Sequence, residues 1–250
     1  MAKRKAGKIF VGVGGWNFAP WRGSFYPKGL VQSQELHYAS RQLTSIEINS
    51  TFYGLQKPAT FQKWHDETPD GFMFSVKAPR FVTLRKQLAS AGPSIERFLS
   101  SGVLRLEEKL GAINWQLPPN KEFDAEDIAA FLALLPRELE GRGLRHALEV
   151  RHESFDCEAM VALAREHGVA LVEAGDSEYP RMQERTAPFS YLRIMGTKAG
   201  APQGYAPAAL KRWRERAEVL AREGDVYLYV ISGAKERNPL AARALIAGLR

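Results

Sequence analysis

Charged and amide side chains recur at alternate positions near the C-terminal ends of short apolar runs. They are Glu47 and Asn49, Ser75 and Lys77, Asn114 and Gln116, Glu149 and Arg151, Glu173, and Arg193. Alternate side chains of an extended chain share a face, so each set projects one way. Strands buried on both faces normally read as unbroken Val, Ile and Leu, and this polar set needs a reason. Glu47, Glu149 and Glu173 are of the type that moves a proton as acid or base. Lys77, Arg151 and Arg193 are of the type that holds an anionic or polar substrate. The competing reading is a self-neutralising ion network that only fixes strand register. Burying each ion costs several kcal/mol, so for stability alone Leu and Val would serve better, and a wet polar pocket is the expectation.

The loops add to the set. After the first run comes Gly-Trp-Asn-Phe-Ala-Pro-Trp-Arg-Gly-Ser-Phe-Tyr-Pro, with Trp16, Phe18, Trp21, Phe25 and Tyr26. It is either a lid whose rings stack on a ligand, Trp16 foremost, or a packed cover. Ser50 to Tyr53 place hydroxyls after the second run, and Tyr53 and Arg80 join the candidate binding residues. His152 and Asp176 stand just past the fifth and sixth runs, and residues 196–204 look mobile enough to close on a ligand. Glu149, His152, Glu173 and Asp176 would be the donors for a divalent cation such as magnesium or manganese, although no metal or other cofactor is required. With 5 His and 1 Cys, a multinuclear zinc site lacks ligands, and Ser154 has no nucleophile elbow around it.

Eight runs carry these residues, beginning near Ile9, Ser45, Phe72, Ala112, His146, Val169, Phe189 and Val226. Helical spacing of apolar residues follows over 35–42, 59–66, 94–109, 125–139, 158–167, 208–223 and 240–249. The stretch 176–184 is the poorest helix, because Pro180 interrupts it. Strand and helix alternating in 250 residues predict a (β/α)8 TIM-like barrel, a single domain over residues 9–250 behind a basic tail of residues 1–8. An open doubly wound sheet would carry G-x-G-x-x-G after its first strand, whereas here the run ends Val-Gly-Val-Gly-Gly-Trp. Active sites of such barrels lie where the strands finish, which is where the polar residues are.

The composition, 45% hydrophobic and 25% charged, is that of a globular protein. No apolar run approaches the roughly 20 residues that cross a bilayer, and the basic N-terminus leads straight into a strand-like run. No membrane partner and a cytoplasmic location are expected. A net charge of +7 fits anionic partners, either small metabolites or nucleic acid.

Several motifs together resemble the YecE-like family, known as domain of unknown function 72. They are Gly14-Gly15-Trp16 with Trp21 to Pro27, Ile46-Glu47-Ile48-Asn49-Ser50-Thr51-Phe52-Tyr53, Phe74 to Arg80, Gln116-Leu117-Pro118-Pro119 and Glu149-Val150-Arg151-His152-Glu153-Ser154. The resemblance spans nearly the whole chain and implies a TIM-like barrel without a settled activity. A relation to metal-dependent nucleases, which are hydrolases, has been suggested for the family on fold analogy. The chain departs from the family pattern at Met195-Gly196, at Ile231-Ser232-Gly233 and at Leu84, where His-Gly, Phe-Asn-Asn and His are usual. Three polar groups are thereby lost from one side of the mouth.

Three functional readings remain open at this point. One is an enzyme on a small anionic or polar substrate, held by Lys77, Arg80, Arg151 and Arg193 with Glu47 or Glu149 moving a proton. Another is a protein that binds or processes nucleic acid, and the third is a ligand-binding barrel without catalysis.

Overall fold

The computed structural model describes residues 6–249. Eight parallel strands form a closed ring: β1 Ile9–Gly14, β2 Ser45–Ile48, β3 Met73–Lys77, β4 Leu110–Gln116, β5 Arg145–Glu149, β6 Ala170–Gly175, β7 Ser190–Ile194 and β8 Val226–Val230. They follow chain order around the barrel, and β8 closes it on β1 with Ile9 beside Val226 and Val13 beside Val230. Helices α1 Glu35–Gln42, α2 Pro58–Glu67, α3 Gly92–Leu99, α4 Ala125–Ala133, α5 Glu158–His167, α6 Pro207–Ala221 and α7 Asn238–Ala247 surround it. The expected TIM-like barrel is present as a single domain.

Local chemistry explains where the helices begin and end. The Asp124 carboxylate accepts the amide hydrogens of Glu126 and Asp127, capping α4. Gly168, at φ 66°, ends α5 in the left-handed conformation glycine tolerates. Helix α4 stops at Ala133, short of the expected residue 139, because Pro136 cannot continue it; the chain makes a small hairpin of Glu138–Leu139 and Arg142–Gly143 instead. The stretch 94–109 is likewise two pieces, α3 and a 3-10 segment Val103–Lys109, parted at Gly102 with φ 103°. A Cβ there would stand 2.6 Å from Pro58 Cα, so the backbone of α2 runs too close for any side chain.

Among the described residues no helix follows β6; residues 176–189 cross its outer face as irregular chain. Trp213 of α6 fills part of that gap. Its indole lies against Gly175, where a Cβ would come within 2.2 Å of the ring, and Nε1 donates to Asp176 Oδ2 at 2.8 Å. Of the expected basic tail, residues 1–5 lie outside the described residues. Gly7 and Lys8 are tied to the barrel floor, the Gly7 amide donating to Ala221 O at 2.7 Å and the Lys8 amide to Asp225 Oδ1 at 2.9 Å. No helix among the described residues is long and apolar enough to cross a membrane.

Side-chain parity divides the apolar core in two. Ile46, Ile48, Phe74, Val76, Leu148, Leu192 and Ile194 face outward into the layer beneath the helices. Phe10, Ala112, Ala147, Val172, Tyr191, Tyr227 and Tyr229 plug the lower lumen, with Phe10 stacked on Tyr227 at 5.3 Å. An extra residue between Leu110 and Ile113 bulges β4 against β3.

His146 lies in the outer layer, where Trp115 Nε1 donates to its Nδ1 at 3.1 Å and its Nε2 donates to Pro136 O at 2.8 Å. Burial lowers its pKa to about 4, against the opposing hydrogen bond to Pro136. The folded-state value is thus depressed below the unfolded one, near 6.5. The unfolded chain takes up the proton first as pH falls, so stability held at pH 7 drains away between about 6.5 and 4. Urea unfolding at pH 5 should show roughly 2 kcal/mol less stability from this residue than at pH 7. His146→Gln should show a correspondingly smaller pH dependence.

Candidate functional site

The C-terminal mouth is organised around Arg193, a buried residue of β7. Its Nη2 donates to Glu47 Oε1 of β2 at 2.9 Å, while Nη1 bonds Glu149 Oε2 of β5 and Gln116 Oε1 of β4, the latter at 3.2 Å. The Tyr191 hydroxyl donates to the second Glu47 oxygen at 2.6 Å. Asn114 Nδ2 reaches both carboxylates at 3.4 Å. Arg151, just beyond β5, completes the set: Nε donates to Glu149 Oε1 and Nη2 to Gln116 Oε1, both at 2.8 Å. Four strands, β2, β4, β5 and β7, are joined through one guanidinium and its partners.

The electrostatics follow from the geometry. Glu47 and Glu149 are both 0% exposed. Burial pushes the Glu149 carboxyl up, but Arg193, Arg151 and Lys77 outweigh it and hold it below the usual carboxylate range. Burial opposes the Arg193 charge too, and Glu149 and Glu47 more than compensate, raising its pKa. Beneath this level the Tyr229 hydroxyl donates to Ser75 Oγ at 2.7 Å and is hydrogen-bonded to Ser45 Oγ, also at 2.7 Å. Burial raises the pKa of that phenol, which stays neutral.

Lys77 is different. It is 8% exposed, at the end of β3, and among the described residues no acceptor lies within hydrogen-bond distance of Nζ. The Phe52 ring lies 4.1 Å from the ammonium and gives it some cation–π attraction. Burial first, and then the charge of Arg193, lower its pKa to about 8, with Glu47 and Glu149 opposing. Above it opens a cavity of about 690 Å³ whose walls include Trp16, Asn49, Tyr53, Lys77, Gln116, Arg151 and Arg193. Gly14 makes room at the rim, since a Cβ there would fall 2.6 Å from Asn49 Nδ2 and 2.9 Å from Ile231 Cγ2.

Most of the expected site residues therefore converge, with specific exceptions. Glu47 and Glu149 are in the lumen but lie behind Arg193 and do not line the cavity. Glu173 was expected inside and is not. It pairs across the sheet with outward-facing Leu192, and Val172 and Ala174 take the lumen positions instead. Its carboxylate accepts from Arg181 Nη2 at 2.7 Å, Gln183 Nε2 at 3.1 Å and Arg216 Nε at 3.0 Å. With no apolar helix covering β6, a carboxylate there can anchor the irregular chain to the barrel.

The remaining rim residues stand apart from the cavity floor. His152 turns its Nδ1 to Ser154 Oγ at 2.8 Å and lies in a neighbouring hollow beside Arg151 and Tyr179. Asp176 is exposed and occupied by Trp213. Arg80 is exposed, its guanidinium 5.7 Å from the Tyr53 ring, and Tyr53 is 70% exposed at the outer edge. The four donors considered for a divalent cation do not come together. The one His and carboxylate cluster with ligand spacing among the described residues is His65, Glu107 and Glu108, away from the mouth.

The aromatic loop is mainly a packed cover: Trp21, Phe25 and Tyr26 are buried, and Tyr26 donates to Trp16 O at 2.6 Å. Trp16 alone of its five rings lines the cavity, edge-on to Trp64 at 5.2 Å. The 196–204 loop is tied at its base, where Thr197 Oγ1 donates to Asn238 Oδ1 at 2.8 Å and the Lys198 amide to Gly204 O at 2.7 Å. Met195 and Ile231 turn apolar side chains to the lumen. Phe52, Trp64, Lys235 and Asn238 also line the cavity and were absent from the expected set. Only Phe52, inside a motif already singled out, carried a sequence signal.

A closed parallel barrel with its polar residues gathered at the strand C-termini defines a TIM-barrel protein with a ligand-sized mouth. Residues 10–250 match the family described as "Protein of unknown function DUF72", and the chain belongs to that family. It is 29% identical over 150 residues to UPF0759 protein YecE of Escherichia coli (strain K12), covering 59% of this chain and 50% of that one. The chain thus spans about half the length of the curated relatives it matches. The crystal structure of a DUF72 family protein from Thermotoga maritima MSB8 superposes with TM-score 0.75 and 25% identity, covering 96% of this chain and 97% of that one. D-psicose 3-epimerase shares the barrel alone, with TM-score 0.50 and 14% identity over 97% and 92% of the two chains.

Two substitutions separate these roles. Arg193→Met leaves buried Glu47 without its cationic partner and Glu149 with Arg151 alone, and should cost about 3–5 kcal/mol in urea unfolding. Glu173→Gln should lower stability by about 1–3 kcal/mol in the same unfolding measurement, through its hydrogen bonds outside the barrel.

Proposed function

We propose that the mouth cavity receives a small anionic or polar molecule, with Lys77 as the cation that meets it. The observation that carries this reading is the nearly buried Lys77, whose ammonium has no acceptor among the described residues and opens on a cavity of about 690 Å³. A buried charge without a partner costs stability, and an anion from solvent would supply that partner. Arg193 and Arg151 share the cavity wall but direct donors to Glu47, Glu149 and Gln116, so they add field and orientation more than free binding capacity. Trp16 and Asn49 would shape the remainder of the ligand.

As an enzyme, the site would move protons through Lys77, because the Glu47 and Glu149 carboxylates sit behind Arg193. This changes the role expected of those two residues to holding Arg193 and setting the field at Lys77. A barrel that binds without turnover is the second reading. It is favoured by Met195 and Ile231, whose apolar side chains face the lumen at the mouth. The nucleic-acid reading is not carried forward: the mouth's arginines are committed inside the barrel and form no open track of cations along which phosphates would lie.

Binding of oxyanions, polyols and sugar phosphates, followed by thermal shift and calorimetry, tests the reading. Lys77→Met should weaken an anionic ligand at least about 10-fold, as loss of a charge-assisted bond implies. The same variant should be as stable as the parent or about 1–3 kcal/mol more stable, since it removes an uncompensated charge. Affinity for an anion should also fall as pH rises through about 8, where Lys77 loses its proton. Unchanged affinity in Lys77→Met, or none of these ligands binding, would contradict the reading.

A further inference from the structure

Lys77 is set apart from the other buried cations by what its nitrogen lacks. The Lys109 ammonium is held by His65 O and Thr68 O, both at 2.7 Å, where α2 ends. Arg193 and Arg151 are bound to carboxylates. Lys77 Nζ has a ring face on one side and an open cavity on the other. An amine in that position is useful as a nucleophile, since no hydrogen bond has to break before its lone pair can turn toward a ligand.

We propose that Lys77 forms an iminium with a small aldehyde or ketone that also carries a carboxylate or hydroxyl group. This rests on the reading of the mouth as a small-ligand site and names the substrate class it would take. The neutral amine attacks the carbonyl carbon, the C–N bond forms, and the carbonyl π pair moves to oxygen, which takes a proton. The carbinolamine then loses that oxygen as water while C=N forms. Counted from the ammonium, one carbonyl compound and Lys–NH3+ give one protonated imine and one water, with no oxidant or reductant.

Three further features fit the carbonyl class. With its pKa near 8, about a tenth of the amine is neutral at pH 7, whereas an ordinary lysine offers less than about a thousandth. Arg151 and Arg193 stand in the same wall, where their field favours an anionic group on the substrate. Asn49 Oδ1 is a buried acceptor without a donor, and a substrate hydroxyl would supply one.

The test uses the full chain with pyruvate, glyoxylate and glyceraldehyde as carbonyl probes. Lactate, glycolate and glycerol are the matched probes that lack the carbonyl. Each carbonyl probe is added with sodium cyanoborohydride, and peptides are mapped by mass spectrometry. A reduced adduct on Lys77 at least about tenfold above that on exposed Lys28 and Lys63, absent from a folded Lys77→Arg variant, is the expected result. Adduct spread evenly over the lysines, or none with any probe, overturns the inference. If pyruvate and lactate then raise the melting temperature equally through Lys77, the anion site stands and only the covalent step falls. If neither molecule binds and no adduct forms, both readings fall.

Discussion

The mouth of this barrel depends on one guanidinium held between two carboxylates. Arg193 joins Glu47 to Glu149 across the lumen and draws in Gln116, Tyr191 and Asn114. Removing Arg193 would leave Glu47 buried without a cationic partner and Glu149 with Arg151 alone. The network spans the lumen between β2, β4, β5 and β7. Both carboxylates are bound within it, and among the described residues Lys77 has no counter-ion within salt-bridge distance.

That arrangement joins stability to function at one point. A barrel plugged entirely by hydrocarbon would avoid the desolvation of these ions. Here the lower lumen is so plugged, by Phe10, Tyr227 and their neighbours, while the upper lumen is ionic. The boundary runs through the Ser45, Tyr229 and Ser75 hydroxyls, which satisfy one another and separate the two regions. A destabilised element raised on a stable base is a common division of labour in proteins. Lys77 is the strained element here, in charge and not in backbone.

Much of this was legible from alternation alone. A period of two put Glu47, Lys77, Glu149 and Arg193 on the inner face, and the closed ring of strands placed them together at one end. Glu173 departs from the expectation because nearness to a strand end does not fix the face a charged residue takes, and on β6 Val172 and Ala174 are the inward residues. The poor helical signal around Pro180 was the clue: with no helix on that face, an outward carboxylate held by Arg181 and Arg216 is stable. Pairing is the other thing periodicity cannot show. It placed Glu149 and Lys77 in one ring with equal claims to chemistry, and only three-dimensional distances reveal that one is occupied and the other free of acceptors. Trp64, Lys235 and Asn238 reach the cavity from helices and loops, where no period points to them.

Among the described residues Lys77 is the uncompensated charge of a lumen in which Glu47 and Glu149 are paired with Arg193 and Arg151. Its titration, followed by NMR on protein carrying isotope-labelled lysine side chains, tests that most directly. The account predicts one lysine with a midpoint near 8, assigned to Lys77 by its loss in Lys77→Met. All lysines titrating at ordinary values of about 10.4 would mean that Lys77 has a partner or lies in water, and would contradict the account.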